Sequence, residues 1–127
     1  RSRRPRSSRS ATVKQFGFPR AIRVTRTGDF ARIQGRGRRI HGRRVTLAFD
    51  RSRRGETRVG ITVSAKQANS PERNRFKRLV REVFRRTRRA WPEGFDYVVI
   101  AKEPKAIRSY DDMEIELAGV VRRVGAR

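Results

Sequence analysis

An α+β sandwich, in the order helix, strands, helix, strand, helix, is the fold class this sequence predicts, and three patterns carry the prediction. Apolar residues alternate at Val45, Leu47 and Phe49 and again at Val59, Ile61 and Val63, the period of two expected of strands with one buried face. They recur at helical spacing at Phe76, Leu79, Val80, Val83 and Phe84, and at Met113, Leu117, Val120, Val121 and Val124. Between those two helices FDYVVIA, Phe95 to Ala101, is the most apolar stretch of the chain. A length of 127 residues suits one core and one domain.

The first fifteen residues, RSRRPRSSRSATVKQ, offer almost nothing to bury and lack the apolar run of a secretory signal. Residues 1–17 are therefore expected to form a basic disordered arm ahead of a domain spanning 18–124, although the Arg/Ser richness also resembles a transit peptide. The chain begins with Arg1 rather than Met, so its natural start is expected upstream. Thr27 or Asp29 can cap a short helix through about Gln34, with Phe30 and Ile33 on one side, and GRGRR ends it. Residues 38–50 read as a strand with Val45, Leu47 and Phe49 on one face, and Ile40 suits a short strand before it. Arg51 to Gly55 is polar and ends in Gly, which reads as a hairpin connection to the strand Thr57 to Ser64.

Ser70-Pro71-Glu72 is a helix start, with a hydroxyl at the cap, Pro at the first position and an acid in the first turn, and the helix is expected to reach about Arg89. Its five apolar residues fill one sector, which faces the sheet. Asn74, Arg78, Arg81, Arg85 and Arg88, spaced four, three, four and three, form a stripe on the opposite side, with Glu82 positioned to neutralise Arg78 or Arg86. Trp91-Pro92-Glu93-Gly94 breaks the helix, and the apolar strand after it is expected at the centre of the sheet. Ser109 with Asp112 three residues on resembles a capping box for the last helix, and acids early with Arg122 and Arg123 late suit its dipole.

Charge narrows the function. Thirty Arg and five Lys against twelve acids leave a net charge of +23, and the whole excess lies in residues 1–95. Such a charge resists compaction unless a polyanion offsets it, and guanidinium forks suit phosphate, although a GC-rich genome also raises Arg. Residues 72–89 alone hold eight Arg and one Lys. Mutual repulsion at this density makes most sense with phosphates between the guanidiniums, and Asn74 sits in the first turn where the dipole favours anions. A protein nuclease would need clustered carboxylates or a partnered His. His41 is the only His and reads as a solvated strand residue, while Asp29, Asp50 and Asp96 are scattered at element ends. No catalytic or metal-ligating set is visible. The absence of Cys excludes disulfides and thiolate metal sites and is compatible with a reducing, cytoplasmic setting. No apolar run approaches the roughly 20 residues that span a bilayer.

VGITVSAKQANSPERNRFKRLVREVF, Val59 to Phe84, resembles the strand, loop and RNR helix of the bacterial ribonuclease P protein family, and FPRAIRVTRTGDFARI and FDYVVIAKEP are similar to its N-terminal lead-in and its strand after that helix. The likeness covers roughly residues 18–122. It implies helix, three strands, helix, strand, helix, with a four-stranded sheet and a left-handed βαβ crossover, in a two-layer sandwich. It implies a noncatalytic subunit, monomeric in a 1:1 ribonucleoprotein with a catalytic RNA whose bound Mg²⁺ carries out the 5′-end cleavage of precursor tRNA. Arg73, Asn74, Arg75, Lys77, Arg78 and Arg81, with Arg85 and Lys66, then face the catalytic RNA. Phe30, Arg32, Thr46 and Ala48 line a cleft for the single-stranded 5′ leader, although Gln34 and Ala48 stand where some relatives place aromatics, and Ala68 replaces a common loop Gly. A ribosomal or other structural RNA-binding protein would carry the same charge without supporting cleavage.

Overall fold

The structure, a computed structural model, describes residues 23–24, 27–52 and 55–125. The arm expected over 1–17 and the capping side chain of Thr27 lie outside the described residues. Among the described residues three α-helices and four strands follow the predicted order: α1 (Thr27–Arg36), β1 (Arg38–His41), β2 (Val45–Arg51), β3 (Arg58–Thr62), α2 (Ser70–Thr87), β4 (Phe95–Ala101) and α3 (Tyr110–Gly125). No helix among the described residues is long and apolar enough to cross a membrane.

The strands form one mixed sheet in the order β1-β2-β4-β3. β1 with β2 and β2 with β4 run antiparallel, while β3 and β4 run parallel and are joined through α2. The hairpin expected between β2 and β3 is not formed, because β4 lies between them. FDYVVIA is apolar enough to be hydrogen-bonded on both edges and covered on both faces, and Asp96 through Val99 are all buried. Sequence neighbours lose that slot to the strand with more to bury.

Alternation splits the sheet into two faces. Val45, Leu47, Phe49, Tyr97 and Val99 join the apolar sides of α2 and α3 in the main core. There Trp91 stands edge-on between Phe84, with ring centroids 4.8 Å apart, and Tyr97, at 5.0 Å. Its indole N–H donates to Thr87 Oγ1 at 3.0 Å. Burial raises the Tyr97 phenol, which donates to the Pro92 carbonyl. On the other face Ala48 and Val98 meet Ile33, Val24 and the half-buried Phe30. The first helix therefore adds a partial third layer to the expected two-layer sandwich.

Two caps differ from expectation. Asn69, not Ser70, caps α2: its side chain accepts from Glu72 N, and Glu72 Oε1 accepts from Asn69 N at 2.8 Å. The reciprocal pair needs an acid three residues after the cap, and from Ser70 that position is Arg73. Asp29 lies inside the first turn of α1, where it pairs with arginines rather than capping. At α3 the Ser109 hydroxyl accepts from Asp112 N as expected, while the Asp112 carboxylate accepts from Arg108 N at 3.1 Å, a bond that with the capping contacts holds its carboxyl below the usual value.

Candidate nucleic-acid interface

On α2, packing decides which cations are presented. Phe76, Val80, Val83 and Phe84 are almost wholly buried, which turns Asn74, Arg78 and Arg85 to solvent and leaves Arg75, Lys77 and Arg81 half-buried. Lys66 is exposed in the turn before the helix. Among the described residues Arg78 and Arg81 have no acidic partner. Burial, and next the charge of Arg23, press Arg81 below the ordinary arginine value. Arg23 reaches this region through its bridge to Val59 at the β3 edge. Glu82 accepts from Arg85 at 3.1 Å and Arg86 at 3.2 Å, leaving Arg78 aside. Arg86 also lies 4.8 Å above the Tyr110 ring.

The start of α2 differs from the rest of the stripe. Arg73 folds back, donating to the Ala68 carbonyl at 2.9 Å and to Ser70 Oγ at 3.1 Å. The Glu72 and Arg73 amides are already bonded within the cap, and Pro71 has none. An anion here is met by side chains rather than by free backbone N–H groups. Arg75 keeps a buried Nε without a partner, a donor whose desolvation nothing yet offsets.

The expected cleft residues sit on the α1 face of the sheet with unequal access. Ala48 is buried beneath α1, and Thr46 is buried with its Oγ1 3.3 Å from His41 Nδ1. His41 itself is exposed, as a solvated strand residue should be. Phe30 keeps part of its ring accessible, because β3 carries Gly60 beneath it: a Cβ there would stand 2.8 Å from Phe30 Cε1 and Cζ and 2.9 Å from Val24 Cβ. Gly60→Ala should therefore lift α1 at a cost of about 1 to 3 kcal/mol, seen as a lower unfolding temperature. An unchanged temperature with the Phe30 ring unmoved would show that the face adapts.

Arg32 is engaged by the protein itself. Its Nη1 lies 2.8 Å from Asp50 and its Nη2 2.7 Å from Asp96. Arg58 reaches Asp96 through Nε and Nη2, both at 2.8 Å, and Asp29 at 3.4 Å. The sequence left these acids scattered; the register brings them together, since Asp50 faces Asp96 across β2 and β4, and Arg58 faces Asp96 across β3 and β4. Two carboxylates directly opposed would repel, and Arg32 bridges them from above. Hydrogen bonding and charge from Asp96 raise the Arg58 pKa further. The carboxylates that converge on this face are thus neutralised by guanidiniums, and no group of His, Cys, Asp or Glu among the described residues is arranged to hold a metal ion. Strand pairing, not spacing, was the signal that could have located this cluster.

Known proteins share the sequence pattern and the fold of this chain. The family model described as Ribonuclease P matches residues 18–125. The ribonuclease P protein component of Geotalea uraniireducens is 34% identical over 112 residues, covering 88% of this chain and 98% of that one. That of Nitrosococcus oceani is 36% identical over 91 residues, covering 71% and 76%. Among solved structures, the RNase P protein of Staphylococcus aureus superposes with a TM-score of 0.74 at 27% identity, covering 83% of this chain and 96% of that one. The RNase P protein of Thermotoga maritima superposes at 0.71 and 30% identity, covering 80% and 96%.

Proposed function

We infer the roles of these surfaces from one premise: the chain belongs to the ribonuclease P protein family. It is a protein subunit of the ribonucleoprotein endoribonuclease that matures the 5′ end of tRNA, with an RNA subunit and precursor tRNA as its partners. The finer assignment is our reading. Asn74, Arg75, Lys77, Arg78, Arg81 and Arg85, with Lys66, meet phosphates of the catalytic RNA. Arg73 joins them by turning away from the Ala68 carbonyl.

The leader of precursor tRNA crosses the α1 face, where the accessible part of Phe30 stacks on a base. Arg32, Thr46 and Ala48 form the support of that face: Arg32 ties α1 to β2 and β4, and the other two lie under it. The chemistry belongs to the RNA and its Mg²⁺, since the protein's own converging carboxylates are already paired with Arg32 and Arg58. Residues 18–124 act as one RNA-binding unit, monomeric in a 1:1 particle in the cytoplasm, with residues 1–17 as a basic arm.

The observation that carries this reading is the outward stripe on α2, whose only acidic partner on the helix is Glu82. Cations drawn up on one rigid face repel each other, and a folded RNA backbone removes that repulsion. The test is precursor-tRNA cleavage by a bacterial catalytic RNA at low Mg²⁺, with and without the protein. Addition should raise the rate; an unchanged rate would remove the assignment, and cleavage by the protein alone would move the chemistry to its side chains.

A further inference from the structure

At the end of the sheet where β2 finishes and β4 begins, three arginines from three elements close around an aromatic floor. Arg36 from the last turn of α1, Arg38 from β1 and Arg51 from β2 line a hollow of about 210 Å³ together with Phe49, Asp50 and Phe95. The ladder sets its geometry: Arg38 lies directly opposite Phe49, and Arg51 directly opposite Phe95. The two rings meet edge to face with centroids 5.5 Å apart, so the floor is held in place, and Phe95 remains partly accessible.

All three arginines are exposed, and among the described residues none of their guanidiniums has an ion-pair partner. Asp50, the one acid in the lining, is bridged by Arg32 at 2.8 Å. Exposed arginines on so basic a chain are ordinarily only solvated. Here they converge on a concavity beside an accessible ring, the combination of cations and stacking surface that single-stranded nucleic acid uses. The α2 stripe has cations without such a ring, and the Phe30 face has a ring whose neighbouring Arg32 is already paired.

We propose that this hollow is a second RNA-binding site, taking a phosphodiester of single-stranded RNA between Arg36, Arg38 and Arg51 with the adjoining base against Phe95. It requires neither the leader assignment nor the α2 assignment, and it adds a foothold that a protein gripping RNA only through its helix would lack.

The test uses the full chain with a short oligo(rA), the equivalent abasic strand and inorganic phosphate as probes. Oligo(rA) should shift the Phe95 ring resonances, the abasic strand should bind more weakly, and phosphate alone should bind weakest. Arg38→Ala with Arg51→Ala should flatten the salt dependence by about 0.7 log units, the share of the one phosphate they hold on a single strand. Both side chains are exposed, so these variants should keep the parent unfolding temperature, and Phe95→Leu should remove the difference between oligo(rA) and the abasic strand. An unchanged slope in the arginine pair, or equal binding of all three probes, would overturn the site. So would Phe95 shifts that follow protein concentration without RNA, which would give the face to a second copy of the chain.

Discussion

Asp96→Ala should lower the stability by about 3 to 5 kcal/mol, the usual effect of removing one partner from a buried ion pair. For a domain of this size that is a fall of roughly 10 to 20 °C in the unfolding temperature. Asp96 is wholly buried and meets Arg32 at 2.7 Å and Arg58 at 2.8 Å. Without it the guanidiniums of Arg32, from α1, and Arg58, from β3, are left together with only the more peripheral Asp29 and Asp50 to balance them. The pH dependence has a definite sign. Burial pushes the Asp96 carboxyl up, but hydrogen bonds and charge from Arg58 and Arg32 outweigh it and hold the group below its ordinary value. A depressed folded-state pKa stabilises above the unfolded value near 3.9, and that contribution is lost as pH falls toward the folded value. The parent chain should therefore lose stability below about pH 4, and Asp96→Asn should lack that part of the loss. Parallel curves for the two proteins would show that the pair contributes nothing to folding. Replacing Asp96, Arg32 and Arg58 together with apolar residues of similar size should recover much of the loss, because desolvation and attraction nearly cancel in such networks.

What was legible in the sequence follows from how far each signal reaches. The burial of Phe76, Leu79, Val80, Val83 and Phe84 depends on spacing within one helix, so the 3.6-residue period was enough to place the stripe opposite them. The centrality of β4 was legible for a similar reason: a strand apolar on both faces needs cover on both. The cap at Asn69 was also local, but a Ser-Pro-Glu run and an Asn-x-x-Glu spacing competed one residue apart, and the reciprocal hydrogen bonds decided it. The Arg32–Asp50–Asp96–Arg58 cluster was not legible, because it joins residues up to 64 apart through a register that only the assembled sheet defines. The same holds for Gly60, which looks like a weak strand residue until Phe30 and Val24 are found closing over it. The roles in binding RNA came from resemblance, and geometry then divided the candidates by access: Arg78 is exposed, Arg73 is folded back and Arg32 is held by carboxylates.

Replacing Lys77, Arg78 and Arg81 with Ala should weaken binding to the catalytic RNA by roughly 10- to 100-fold near 0.1 M salt, and should reduce the slope of log affinity against log salt by about 2 to 3 units. Each phosphate left without its cation removes about 0.7 to 0.9 from the slope, and three of them account for the change. These three side chains are the informative choice, because Arg85 shares Glu82 with Arg86, and Arg73 also closes the Ala68 carbonyl. Stability moves in the opposite direction from binding. Ala has the highest helix propensity, and removing like charges three and four apart relieves repulsion of about 0.2 to 0.5 kcal/mol per pair. Arg81 gains most on the charge side, being pressed by burial and by Arg23. The free variant should therefore unfold at the parent temperature or above it while binding RNA less tightly. A chain whose charges were placed for folding would show the reverse, a lower unfolding temperature and an unchanged salt slope. Measuring both on one preparation separates a helix built to meet phosphate from one that only tolerates its own charge.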